Sequence, residues 1–412
     1  MDILDQVKGG ASRYSAQCVI SRIVLFILSV LLLLGLLVWV FQEKLLFFPN
    51  INGKRDLASN LPGFKHPNEK KISSEDVTLI TDDNVKIHCW FMTHRKFDRY
   101  INGDSDVVEA SSGLSDEGSR QSEDGKGSKG VRKAPKYMRH YFPEFADRYE
   151  QQEKVPTIIF FHGNSGNIGH RLPRFWEFYN FVGVNILAVS YRGYGDSEGV
   201  PSEEGFYLDA KAALEYVLSR TDVVDKDKIF AFGHSIGGAV AIDLASKFKL
   251  TGLIVENTFK DIQSIALRVY PIFKYLGFLL QAIQRLQFDS ISKIASVKSP
   301  ILFVVGSEDE IIPPTHSIEL YKRAGAQDSL NKIYTVPGGT HNDTWIKGGV
   351  EFYLTLMQFI YNAIDFAKPE ALSSSDSSDY KGLEEVLASN GTPLENEESV
   401  KTINFRKSNK LN

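Results

Sequence analysis

Five residues, Gly233-His234-Ser235-Ile236-Gly237, carry the most chemistry in this 412-residue chain. Glycines two places either side of a serine let the backbone pack closely around a tight turn that exposes the hydroxyl. A serine hydroxyl is a poor nucleophile until a base takes its proton. A histidine must therefore lie within hydrogen-bond reach, and a carboxylate must hold that histidine in one tautomer. His341 is the candidate base, on the glycine-rich run Pro337-Gly338-Gly339-Thr340-His341 after the last apolar strand. Asp309 is the candidate acid, in Gly306-Ser307-Glu308-Asp309-Glu310 directly after another apolar run. Glu256, ending the strand before that, is the rival acid, while Glu308 and Glu310 read as loop charges or a helix-start anion. The chain order Ser, Asp, His is the one expected when the nucleophile sits on a strand–turn–helix elbow.

Such a nucleophile attacks a carbonyl, and the oxyanion that forms needs N–H donors. The helix start after Ser235 offers the N–H of Ile236. The loop His162-Gly163-Asn164-Ser165-Gly166-Asn167, after an early strand, offers that of Asn164. A phosphate-binding reading of these glycines is weak, because no Gly-Lys-Ser/Thr follows. The loop from Tyr191 to Gly199 reads as structural support for the site. No metal-ligand cluster stands out, and this chemistry requires no cofactor.

The elements that must position these groups follow from hydrophobic periodicity. Val77–Ile80 and Val85–Phe91 predict a half-buried antiparallel pair around Asp82-Asp83-Asn84. From Val155 onward, short apolar runs alternate with helical patterns: strands at 157–161, 185–189, 229–232, 253–255, 301–305 and 333–336, helices at 171–181, 202–218, 236–247, 314–324 and 350–366. That rhythm predicts an α/β fold with a mostly parallel sheet covered on both faces. Residues 97–153 interrupt it; their Ser/Gly/Asp/Glu/Lys-rich middle predicts a largely disordered insertion, and Tyr137–Tyr149 is aromatic enough to dock on the domain. Residues 259–288 are apolar and aromatic, and read either as a small helical cap or as ordinary core helices. Residues 368–412 predict a disordered tail.

Residues 1–22 precede an uncharged apolar run, Ile23–Phe41. At ~1.5 Å per residue this run nearly crosses a ~30 Å hydrocarbon core. A transmembrane anchor is expected; a cleaved signal peptide fits less well, because no small-residue cleavage site follows. Lys8, Arg13 and Arg22 on one side and Lys44, Lys54 and Arg55 on the other leave the orientation open. A formal net charge of −4 gives no basic field to attract nucleic acid. Two cysteines, Cys18 and Cys89, do not make a disulfide framework. Cys18 beside the anchor is either unmodified or a palmitoylation site. Asn342-Asp-Thr344 and Asn390-Gly-Thr392 are glycosylation sequons; the first adjoins His341 and is expected to stay unmodified.

Taken together, His162–Asn167, Ser190–Gly199, Gly233–Gly238, Gly306–Pro314 and Gly338–Trp345 resemble the α/β-hydrolase superfamily, in its fungal BEM-type branch. That branch is similar to membrane-associated ABHD-type serine hydrolases of animals. The resemblance spans about residues 77–366 and implies an eight-stranded sheet, one hydrolase domain over 42–367, and catalytic roles for Ser235, Asp309 and His341. It implies an ester or thioester hydrolase, with protein depalmitoylation as one form of that activity, at the endomembrane system or plasma membrane. The expected partners are the bilayer and an acylated substrate, which includes an acylated protein. The alternative is a catalytically silent membrane scaffold that keeps the fold.

Overall fold

The computed structural model describes residues 3–51, 53–94, 133–269, 284–324 and 330–367. Two compact units emerge from its contacts: Met1–Phe48 with Asp261–Gln287, and Pro49–Lys260 with Phe288–Asn412.

In the first unit one helix runs from Ile3 to Leu46. Its stretch Cys18–Leu46 contains a strongly apolar 18-residue window of which only 6% is buried, so its apolar side chains point outward all round. A helix apolar on every side and unburied by protein is suited to lipid. Its last turn receives the segment before Phe288. The Arg285 guanidinium lies 4.9 Å from the Trp39 ring and pairs with Glu43 at 2.6 Å. The Gln42 side chain accepts the N–H groups of Arg285 and Leu286. Ile262–Val269 is helical, and Ile262 N–H donates to Gln287 O. The rest of the expected cap, 270–283, lies outside the described residues.

The second unit is built on eight strands: β1 Ser74–Ile80, β2 Lys86–Met92, β3 Thr157–Phe161, β4 Asn185–Val189, β5 Ile229–His234, β6 Gly252–Glu256, β7 Ile301–Gly306 and β8 Lys332–Val336. They line up as β1-β2-β4-β3-β5-β6-β7-β8. Both pairings of β2 are antiparallel and all the others parallel. The central strands read Thr-Ile-Ile-Phe-Phe, Asn-Ile-Leu-Ala-Val and Gly-Leu-Ile-Val-Glu, and every residue in them is buried. Continuous apolar runs of this kind belong to a sheet covered on both faces. On one face Phe160 stacks on Phe232 at 5.1 Å and meets Phe175 edge-on at 4.9 Å. On the other, helices Glu203–Ser219 and Ile236–Lys247 lie against β4 and β5. The first of these starts at Ser202, whose side chain accepts Gly205 N–H, and carries Glu203 and Glu204 where the helix dipole favours anions.

Three elements differ from the sequence expectation. Of the expected disordered insertion, 95–132 lies outside the described residues, but Lys136–Tyr141 and Pro143–Gln151 are helices. Met138, Phe142, Ala146 and Tyr149 from them are buried in the main core, so this stretch packs rather than merely docks. The helix expected at 171–181 is a 3-10 turn, a short α-helix Leu172–Glu177, and a wide π turn Phe178–Val182 that ends on Gly183. The last helix begins at Thr344, six residues early, and is broken at Gly349 (φ 51°, ψ −136°), a conformation that glycine adopts at least cost.

Candidate active site

β5 ends at His234 and the next helix starts at Ile236, so Ser235 alone makes the turn. Its φ of 56° and ψ of −123° lie where a side-chain-bearing residue is strained. The surroundings hold it there. Ser235 N–H donates to Glu256 O at 2.9 Å, and Ser235 O accepts from Gly238 N–H and the Thr258 hydroxyl. The flanking glycines are obligatory: a Cβ on Gly233 would fall 2.2 Å from Gly237 O, and one on Gly237 would fall 2.1 Å from Phe161 O.

His341 and Asp309 arrive from loops after β8 and β7, at the same strand ends as Ser235. His341 Nε2 lies 3.0 Å from Ser235 Oγ, and His341 Nδ1 lies 2.7 Å from Asp309 Oδ2. The other carboxylate oxygen accepts the N–H groups of Ile311 (2.9 Å) and Ile312 (2.7 Å). Asp309 is thus fixed by its own loop, with one oxygen turned to the imidazole. A proton on Nδ1 satisfies that oxygen and leaves Nε2 bare to accept from the serine hydroxyl. All three side chains are buried, which keeps bulk water from competing for these bonds.

Glu256, the rival acid, is engaged elsewhere. It is fully buried and forms a two-pronged pair with Arg174, at 2.5 and 3.0 Å. Glu308 and Glu310 are exposed, as loop charges would be.

The loop after β3 lies beside the nucleophile. A Cβ on Gly163 would meet His234 Nδ1 at 2.8 Å and Ser235 Cβ at 3.5 Å. Its carbonyls are held from outside: Tyr191 OH donates to His162 O (3.1 Å), Tyr194 OH to Asn164 O (2.8 Å) and Arg171 to Ser165 O (2.8 Å). Ile236 is the first residue of its helix, where N–H groups have no partner one turn back. Both expected oxyanion residues therefore flank Ser235.

Two further histidines are tuned by burial. His234 Nε2–H donates to His341 O (2.9 Å); burial first, and then the neighbouring His341, push its pKa well below the ordinary value. It is neutral, so its Nε2 carries the proton that binds this carbonyl. His162 is fully buried and lowered to about 3, by burial and then by the charge of Arg171. Among the described residues, no group of three or more His, Cys, Asp or Glu could hold a metal ion.

The sequence reading missed Asn257, Thr258 and Arg174, which brace the site without belonging to a motif. Arg174 had a signal, since a buried Glu256 at a strand end needs a cation. Asn257 had only its place directly after a strand.

Known proteins resemble this chain in sequence and in fold. Residues 158–270 match the alpha/beta hydrolase family. Arabidopsis thaliana has an alpha/beta hydrolase domain-containing protein, WAV2, that is 32% identical over 330 residues, covering 78% of this chain and 87% of that protein. Protein bem46 of Schizosaccharomyces pombe is 40% identical over 203 residues, covering 48% of this chain and 66% of that protein. Among solved structures, the Pyrococcus furiosus esterase Pf2001 superposes with a TM-score of 0.50 at 18% identity, covering 73% of this chain and 96% of that one. With relatives, strand order and elbow in agreement, this chain belongs to the alpha/beta hydrolase family.

Proposed function

We propose that this chain is a membrane-anchored serine hydrolase that cleaves carboxylic esters or thioesters through an acyl-enzyme on Ser235. One observation carries the reading: the unbroken line of hydrogen bonds from Ser235 Oγ through His341 to Asp309. His341 Nε2 takes the hydroxyl proton as Oγ attacks the acyl carbon. The N–H groups of Asn164 and Ile236 receive the oxyanion. Nε2 then returns the proton to the leaving alcohol or thiol, and the acyl group stays on Oγ. A water, deprotonated by the same nitrogen, releases the free acid and restores the serine.

A chain tethered by Cys18–Leu46 works at a bilayer. There the abundant acyl substrates are lipids and S-acylated proteins, so long acyl chains are the substrate class we assign, with palmitoylated protein thioesters among them. We assign it as a single-pass protein of the endomembrane system or plasma membrane, a reading that the apolar helix supports. The test is a panel of acyl esters and a palmitoyl thioester, compared between wild type and Ser235→Ala. Hydrolysis that needs Ser235 and favours long chains is expected. Equal rates in the two proteins would overturn the catalytic reading, and a strict preference for acetyl groups would overturn the lipid assignment.

A further inference from the structure

The tripeptide Glu256-Asn257-Thr258, which starts at the last residue of β6, bonds to Ser235, to His341 and to the strand end that leads to Asp309. Glu256 O accepts Ser235 N–H, and the Thr258 hydroxyl donates to Ser235 O. Asn257 reaches the segments that carry the other two. Its Oδ1 accepts the N–H of Gly306 at 2.8 Å, at the end of the strand that delivers Asp309. Its Nδ2 faces Thr340 O (3.1 Å), His341 O (3.1 Å) and Thr344 Oγ1 (2.8 Å), on the loop that carries the base.

We propose that Asn257 is a positioning residue of this triad: its carboxamide fixes the His341 loop against the strand end that supplies Asp309. The inference rests on the serine-hydrolase reading above and deepens it.

The residue type fits on two independent counts. An N–H on one side can only donate, and two carbonyls on the other can only accept. A carboxamide answers both, whereas a carboxylate answers one and repels the other. The backbone of Asn257 has φ 49°, in the left-handed region that asparagine tolerates better than most side chains. Its own N–H donates to Val304 O (3.0 Å), which extends the β6–β7 pairing by one residue and pins its Cα. Asn257 is 2% exposed, so water does not compete for these bonds. The His341 carbonyl thus receives two donors, Asn257 Nδ2 and His234 Nε2. Held at that peptide, the imidazole meets Asp309 and Ser235 at 2.7 and 3.0 Å.

The test uses the full-length chain in detergent with a p-nitrophenyl ester. Asn257→Gly suits the positive φ and deletes the carboxamide; Asn257→Asp keeps the size and the bond to Gly306 but loses the donors. Both variants are expected to fold, by circular dichroism and melting. Their kcat should fall by about 10²-fold, the order expected for a reacting group displaced by about 1 Å. KM for the same ester should stay within about twofold, because the residue does not touch substrate. Wild-type kcat in either folded variant would overturn the proposal while the triad stands. So would a loss that only tracks the fraction of folded protein, because that marks a purely structural role. Failure of the serine-hydrolase reading itself is visible beforehand, as wild-type turnover that does not depend on Ser235.

Discussion

Ser235, His341 and Asp309 come from three loops, and no two of them are closer than 32 residues in sequence. What makes them one unit is the direction of each hydrogen bond. Asp309→Asn would turn an acceptor for Nδ1–H into a mixed group and favour the other tautomer. The acylation rate should then fall by about 10⁴-fold with the fold intact, as a stopped-flow measurement would show. Glu256→Gln makes the contrasting case. It leaves Arg174 buried without its counter-charge, which costs about 3 kcal/mol or more in urea unfolding, while the rate per folded molecule stays near wild type. A rate collapse in Glu256→Gln with stability unchanged would return Glu256 to the role of acid. The motifs made Ser235, His341 and Asp309 legible because each sits in a run whose types are dictated by a turn or a strand end. The sequence favoured Asp309 but left Glu256 as a rival, since both follow apolar strands; the bond from Asp309 to His341 and the pairing of Glu256 with Arg174 separate them.

Strands and loops divide the work of holding the site. The parallel strands bring their C-terminal ends together, and the loops between them bond to one another. Tyr191 and Tyr194, from the loop after β4, hold the carbonyls of His162 and Asn164 in the loop after β3. Tyr194→Phe removes one bond worth about 1 kcal/mol of stability. It also loosens Asn164, the proposed oxyanion donor; one such donor contributes ~10²-fold or more, so acylation should slow by about tenfold. Thermal melting and probe-labelling rates separate the two effects. An unchanged labelling rate would mean that the loop needs no such support. The sequence rhythm located all eight strands, the antiparallel pair by its alternation and the central parallel strands because they are apolar and buried throughout. It marked Tyr137–Tyr149 as a docking stretch but not as helices, because their polar surface masks the few residues, Met138, Phe142 and Tyr149, that reach the core. It also placed the last helix too late, since Gly348-Gly349 reads as a stop yet only kinks the chain.

Across the whole molecule, two buried neutral histidines set the acid limit of stability. His162 is lowered to about 3 and His234 well below its ordinary value, in both cases chiefly by burial. The unfolded chain protonates these rings near pH 6.5, whereas the folded chain does not. Their contribution is therefore complete above about pH 6.5 and shrinks as pH falls, toward about 3 for His162. The slope is at most ~1.4 kcal/mol per pH unit for each ring. Melting temperature should decline from about pH 6.5 downward, with a partial offset near pH 6 from Asp209, whose carboxyl is raised to about 6 by burial. A flat profile down to pH 5 would contradict the burial of these rings. The apolar helix Cys18–Leu46 was legible from composition alone, and among the described residues little of its most apolar stretch is buried.

The most direct measurement is peptide mass mapping of the full-length chain after exposure to a fluorophosphonate. The expected result is a single phosphonyl adduct on Ser235, absent in Ser235→Ala and formed far more slowly in His341→Ala. Well-folded wild-type chain that emerges unmodified at Ser235 would contradict an imidazole-activated hydroxyl.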